Sequence, residues 1–238
     1  MHYIRPHQQR GHANFGWLSS HHSFSFGQYY DPSHMGISNL RVINDDQVAG
    51  GAGFDPHGHR DMEIISYILE GTIEHKDSMG NHFLIPAGDV QIMSAGSGIM
   101  HSEYNHHSDQ ALKFLQIWIL PEEQGITPRY EQKTIAQDGV LTPLVTPNGE
   151  QGSLSINADA SLYRLQLAAG EATTLHFPKR SGYLHVIEGD VEVTSEHGQN
   201  TLTSGDGAGT LNAERIALKA TASGVQALWF DLAPAERL

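Results

Sequence analysis

Apolar residues in this chain come in short runs, each closed by Gly, Pro, Asn or Asp. Met62 to Leu69 is rich in β-forming residues, Glu70-Gly71 makes a turn, and Thr72 to Lys76 returns as its partner. Asp77-Ser78-Met79-Gly80-Asn81 and Pro86-Ala87-Gly88-Asp89 are two further turns, and Val90 to Ser94 is another strand. Upstream, Leu40 and Val42 alternate with polar neighbours across Ser38 to Asp45, the period of a half-buried strand. Phe114 to Leu120 is nearly all apolar and short, so it reads as a buried strand. Strands of this length, with turns this frequent, predict an all-β chain built from sandwiches or small barrels.

The pattern changes at Pro121. Polar residues, Pro and Gly continue to about Gly152, and this stretch reads as a linker or inter-domain arm. From Leu154 the β pattern resumes as a weak internal repeat. His185-Val186-Ile187-Glu188-Gly189-Asp190-Val191-Glu192 resembles Tyr67-Ile68-Leu69-Glu70-Gly71-Thr72-Ile73-Glu74, and Ser204-Gly205-Asp206 resembles Ala87-Gly88-Asp89. Two copies of one β unit are expected, over residues 1–133 and 134–238.

Candidate chemistry lies in the first copy. His57 and His59 are spaced i, i+2, and so are His101 and Glu103. In a strand such pairs point to one face. Set side by side in a barrel, they present three imidazoles and one carboxylate to a single point, a donor set for a mid-to-late first-row metal ion. Affinity for such an ion should fall on acidification as imidazoles protonate. Counted from the turn glycines, the matching positions of the second copy are Leu175, Phe177, Leu218 and Ala220, with only His176 nearby. That copy is therefore expected to bind no metal and to act as a structural lid or partner domain.

Composition narrows the classes. The 238 residues allow one large or two small domains. With no cysteine there is no disulfide framework, thiolate metal site or Cys nucleophile. A net charge of −13 argues against direct, sequence-independent nucleic-acid binding. No apolar run approaches a membrane span and Met1 to His7 has no secretory character, so a cytoplasmic protein is expected. Of the 16 His, most must be surface or packing residues.

The motifs Gly51-x5-His57-x-His59-x3-Glu63 and Gly88-x12-His101-x3-Asn105 resemble the paired motifs of the cupin superfamily, with Ser94 where Pro is common and about two extra residues before His101. Adding Arg10 to Trp17, Phe24-Ser25-Phe26, Tyr30-Asp31-Pro32, Leu40 to Asp46, Arg60-Asp61-Met62-Glu63 and Asp77-Ser78-x-Gly80-Asn81, the chain resembles the pirin family, nearest its bacterial bicupins of the quercetin 2,3-dioxygenase type. The likeness is dense over the N-terminal half and loose over the C-terminal half. It implies a bicupin fold of two tandem small barrels. It implies one divalent ion per chain, iron first, with copper, manganese, cobalt, nickel or zinc also suited to the donors. It implies ligands His57, His59, His101 and Glu103, and cleavage of quercetin or a related flavonol by O2 with release of carbon monoxide. In that reaction Glu103 is the expected proton acceptor. Glu63 is the competing carboxylate, because many cupins place their ligand there; otherwise it would orient an imidazole. The other class implied is an iron-binding, redox-responsive regulator of a protein partner, and another cupin enzyme is a third reading.

Several residues carry plainer expectations. The N-terminal aromatics, and Phe114 with Trp118, are expected in the core. His21-His22 and His106-His107 are expected at the surface, and Arg60-Asp61 as a local charge pair.

Overall fold

The computed structural model describes residues 1–235. Among them, apart from 3-10 turns at His7–Gln9 and Glu150–Gly152, all regular structure is β. In the first half the strands are β1 (Tyr3–Arg5), β2 (Gly11–Asn14), β3 (Leu18–His22), β4 (Leu40–Val48), β5 (Gly53–His59), β6 (Glu63–Glu70), β7 (Thr72–Asp77), β8 (His82–Pro86), β9 (Asp89–Ser94), β10 (Ile99–Asn105), β11 (Leu112–Ile119) and β12 (Arg129–Thr134). The second half holds β13 (Leu141–Thr146), β14 (Leu154–Ser155), β15 (Ala160–Leu167), β16 (Ala172–Ser195), β17 (Gly198–Leu202) and β18 (Gly207–Leu232). The expected all-β, two-cupin architecture is what is found.

In the first half a seven-stranded sheet, β12-β9-β6-β11-β4-β3-β2, faces a four-stranded sheet, β5-β10-β7-β8. The second half forms one sheet, β14-β13-β15-β18-β16-β17. Its two long strands bend back on each other: Gly182 to His185 of β16 pairs with Gly207 to Thr210 on one side and Leu228 to Asp231 on the other. Two features depart from the sequence reading. The stretch read as a linker contains β12, which extends the first sheet beside β9, and β13, which pairs with β15. And β1 crosses over to pair with β18 of the second half. β12 is a polar edge strand, and β13 is short and interrupted by Pro143, so neither shows the apolar alternation that periodicity detects.

Strand alternation sets what each face does. Ile65 and Tyr67 of β6, Val90 and Ile92 of β9, and Leu115, Ile117 and Ile119 of β11 point outward into one buried cluster that also holds Leu144, Leu162, Leu228 and Phe230 of the second half. The two domains thus share a core. Buried Arg164 ties them further, donating to Tyr67 Oη at 2.7 Å and to the Ile135 carbonyl at 2.8 Å. The opposite residues of the same strands, Ser66 of β6 and Gln116 and Trp118 of β11, face the space between the two sheets of the first half.

The repeat is visible in backbone conformation. Gly71 and Gly189 both have φ of 82°, and Gly88 and Gly205 have φ of 90° and 83°. These left-handed positions are where glycine carries no steric penalty. At Gly189 a Cβ would also come within 2.1 Å of the Gly224 carbonyl oxygen. Replacing Gly189 with Ala is expected to cost about 2–4 kcal/mol of unfolding free energy, read as a lower urea midpoint at unchanged slope; Gly80→Ala, with left-handed φ but open space around it, should cost only the conformational part.

Candidate metal centre

Local pairing builds the site. β5 and β10 run antiparallel with His57 directly opposite His101, and each strand carries its second donor two residues along, on the same face. The ladder shifts register between His101 and Glu103, so that Glu103 lies opposite Phe54. On its other side β10 pairs with β7, which sets Glu103 opposite His75 and His101 opposite Asp77.

His57, His59 and His101 converge, each offering a nitrogen within 4.8 Å of the others. Glu103 does not belong to that trio; it forms a second one with His101 and His75, within the same limit. The expected four donors therefore fall into two trios that share His101 and take in a fifth residue, His75. The rings suit a divalent ion. His57 Nε2 and His101 Nε2 are 3.0 Å apart, the separation of two cis imidazoles each about 2.1 Å from one ion. His57 Nδ1 donates to the Asp55 carbonyl at 2.7 Å, which leaves Nε2 as the free donor atom. Buried His59 Nε2 has no hydrogen-bond partner. Burial first, then the neighbouring rings of His101 and His57, holds the His59 imidazole down at about 4. Burial, then His57 and His75, holds His101 down at about 3. Both rings are neutral at physiological pH, with lone pairs available, as metal ligation requires.

Glu103 is fully enclosed. Gln116 Nε2 donates to its Oε2 at 3.0 Å, and the Ser66 hydroxyl lies 3.3 Å from its Oε1 and 2.9 Å from Gln116 Oε1. Burial raises its pKa, and the nearby rings of His75, His57 and His59 oppose that. Glu63 lies elsewhere. It shares the outward face of β6 with Ile65 and Tyr67, accepts from the Ser94 hydroxyl at 2.8 Å and the Asn157 backbone N–H at 3.2 Å, and joins neither trio. Nor does it touch an imidazole in the manner expected of an orienting group. The reason is parity: on β6 the even residues face the cavity and the odd ones face the second domain.

Behind the site is a residue that sequence reasoning passed over. His75 Nε2 donates to Asp77 at 3.0 Å, and its buried Nδ1 has no hydrogen-bond partner. Its i, i+2 spacing from Asp77 was a legible signal. Gln116 and Ser66, lone polar residues in otherwise apolar strands, were another.

His57, His59 and Glu103 line one side of a cavity of about 810 Å³. Its walls include Trp17, Phe26, Tyr29, Phe54 and Trp118. Trp118 meets His59 edge-on, centroids 5.1 Å apart, and Phe26 edge-on at 5.3 Å. The expectation of core for the N-terminal aromatics and Trp118 is thus corrected in part: Phe24 and Phe114 are core, while these others line the cavity. His22 is likewise buried in the cavity wall and not at the surface, because β3 alternates and His22 shares the inward face with Leu18 and Ser20. His106 is half-exposed against Glu74, and Arg60 pairs with Asp61 at 3.4 Å. In the second domain Leu175, Phe177, Leu218 and Ala220 all lie in one buried apolar cluster, and His176 is exposed. Among the described residues no metal-type cluster occurs there.

A metal-binding cupin fused to a filled cupin is the class that this fold and site define. The comparisons agree. A family model described as Pirin matches residues 3–119, and one described as Quercetinase C-terminal cupin domain matches residues 143–232. Quercetin 2,3-dioxygenase of Escherichia coli is 47% identical over 98% of this chain and 99% of its own length. A pirin-like protein of Caulobacter vibrioides is 43% identical over 86% of the chain and 88% of its own length. The crystal structure of the bacterial pirin YhhW of Escherichia coli in complex with nickel(II) superposes with a TM-score of 0.92 at 46% identity, over 98% of this chain and 99% of that one. This chain belongs to the pirin family.

Two outcomes are expected. His57→Ala, His59→Ala and His101→Ala should each weaken divalent-metal affinity at least ~100-fold in competition with a chromophoric chelator, whereas Glu63→Gln should leave it within about threefold. The second concerns Asp46, whose buried carboxyl is pushed up to about 7. The folded state then keeps a proton that the unfolded chain loses near pH 4, so stability should fall as pH rises through that interval and level off above about pH 7. Asp46→Asn should remove this slope and gain on the order of 3–4 kcal/mol at pH 8 relative to pH 4, read from urea midpoints of metal-free protein.

Proposed function

We propose that this chain is a metal-dependent dioxygenase that opens the central ring of a flavonol with O2 and releases carbon monoxide. One observation carries the reading: three imidazoles, two of them held neutral, and one buried carboxylate stand at the side of a cavity with flat aromatic walls. The 47% identity to a quercetin 2,3-dioxygenase over nearly the whole chain supports the same substrate class. A redox-responsive interaction protein would need no such cavity.

His57, His59, His101 and Glu103 would hold the ion. The donor set suits iron, manganese, cobalt, nickel, copper or zinc, and we take iron as resident. When bound, the ion acidifies a hydroxyl placed against it and makes the oxygen anion reactive toward O2. The protein's part is to position and to move a proton. Trp118, Phe26 and Phe54 hold the flat rings and exclude water. Glu103 is the one carboxylate of the set, and its raised pKa makes it a stronger base than an exposed Glu. It takes the proton of the acidic hydroxyl that neighbours the flavonol carbonyl. Gln116 and Ser66 keep its oxygens aimed into the cavity. The balance is one flavonol and one O2 giving one carbon monoxide and one ring-opened ester. We place the domain boundary at residues 133/134, with β1 contributed to the second domain, and the protein in the cytoplasm.

Glu103→Gln should lose turnover by 10²–10⁴-fold while binding metal within about tenfold of the parent, measured by oxygen uptake with quercetin and by metal analysis of the same sample. Turnover close to that of the parent would remove Glu103 as the base.

A further inference from the structure

The metal centre leaves one set of polar groups in the cavity without a role. Ser20 and His22 of β3 lie opposite Asp46 and Asn44 of β4, and all four are buried and line the cavity. This is the reverse of the polar-out alternation of an ordinary half-buried strand. Buried polar groups cost free energy unless they are partnered. His22 Nδ1 and Asn44 Oδ1 satisfy each other at 2.7 Å. Asp46 Oδ1 has no partner at all. The oxygen is enclosed at the cavity wall, so the carboxyl keeps hydrogen-bonding capacity that the strands it joins do not use.

The position of this set is informative. Across the sheet the register runs His22, Asn44, Gln116, Ser66, on four adjacent strands. Gln116 holds Glu103. The carboxyl of Asp46, bonded by Ser20 and with Oδ1 unpartnered, and the amide of Asn44 are thus the next polar groups along the wall from the base. In a flavonol the pendant ring is attached to the carbon next to the one bearing the acidic hydroxyl. A flavonol whose acidic hydroxyl meets Glu103 and whose pendant ring follows this wall sets that ring against β4 and β3. Burial keeps the Asp46 carboxyl protonated up to about pH 7, so it can donate as well as accept.

We propose that Asp46, supported by Asn44 and His22, hydrogen-bonds the hydroxyl groups of the substrate's pendant ring and so selects flavonols with a catechol there. This rests on the flavonol reading. A site built to bond a hydroxyl rejects the analogue that lacks it, because its own buried groups are then left unpaired.

The test uses three flavonols that differ only in having two, one or no hydroxyls on the pendant ring. Two measurements run in parallel on full-length protein: oxygen uptake after reconstitution with iron, and quenching of tryptophan fluorescence in the metal-free protein. The parent should prefer two hydroxyls over none by at least tenfold in kcat/KM and in affinity. Asp46→Leu should compress both ratios to within about threefold, chiefly through KM of the dihydroxylated compound. Asp46→Asn, which keeps one donor and one acceptor, should recover part of the preference, and its expected gain in stability separates the effect from misfolding. Undiminished preference in Asp46→Leu, or a parent without preference, overturns the proposal. If the parent consumes none of the three flavonols, the catalytic reading fails, and the binding ratios alone decide the role of Asp46.

Discussion

The alternation of side chains along β6 and β11 is the constraint on which core and site both depend. Each strand is buried on both faces, one against the second domain and one against the cavity. Ile65, Tyr67, Ile117 and Ile119 must go one way for the domains to share a core. Ser66, Gln116 and Trp118 must then go the other. A slip of one residue in register would exchange the two sets, put isoleucines against the carboxylate and bury a glutamine and a serine in the inter-domain core. Such a slip is penalised on both sides at once, so the apolar interface with the second domain also fixes the aim of the groups that hold Glu103. The filled second copy therefore has a part in the chemistry without touching a ligand.

Much of this was legible in the sequence, and the reason differs from residue to residue. The spacing of His57 and His59, and of His101 and Glu103, is a local property, and strand geometry turns it directly into a shared face. The repeat was legible because left-handed turns admit few residues, so Gly71 and Gly88 reappear as Gly189 and Gly205. The choice between Glu103 and Glu63 was not legible, because it depends on which face of β6 meets the second domain. A strand apolar on both faces carries no alternating signal to say so. The same limit hid the cavity. Trp17, Phe26 and Trp118 have the composition of core residues, and only tertiary packing shows that the space before them is open.

His75 shows what pairwise register adds. Nothing near it in sequence is a ligand, and Asp77, which it bonds, lies on its own strand, yet cross-strand pairing sets it opposite Glu103 and within reach of His101. Nε2 of His75 is committed to Asp77, and its other nitrogen is buried without a partner. The ring beside Glu103 joins those of His57 and His59 in opposing the rise that burial imposes on the carboxyl. The pKa of Glu103 is thus set by burial, which raises it, and by the neighbouring rings and the hydrogen bond from Ser66, which lower it, influences of opposite sign on one group.

The opposed influences explain why so many polar groups are kept inside this barrel when its twin is filled with Leu175, Phe177, Leu218 and Ala220. Packing alone would favour the second solution, since buried polar groups return at best a small net gain and unpaired ones a loss. In the first barrel the imidazoles of His59 and His101 remain neutral, the carboxyls of Glu103 and Asp46 are pushed toward the protonated state, and Asp46 keeps an unpartnered oxygen. Each of these conditions weakens the empty protein and is relieved by something that enters the cavity: a cation for the lone pairs, an acidic hydroxyl for one carboxylate, a hydrogen-bonding ring for the other carboxyl. The apolar core shared with the second domain supplies the stability against which that cost is held, so the filled barrel and the polar one are complementary solutions within a single chain.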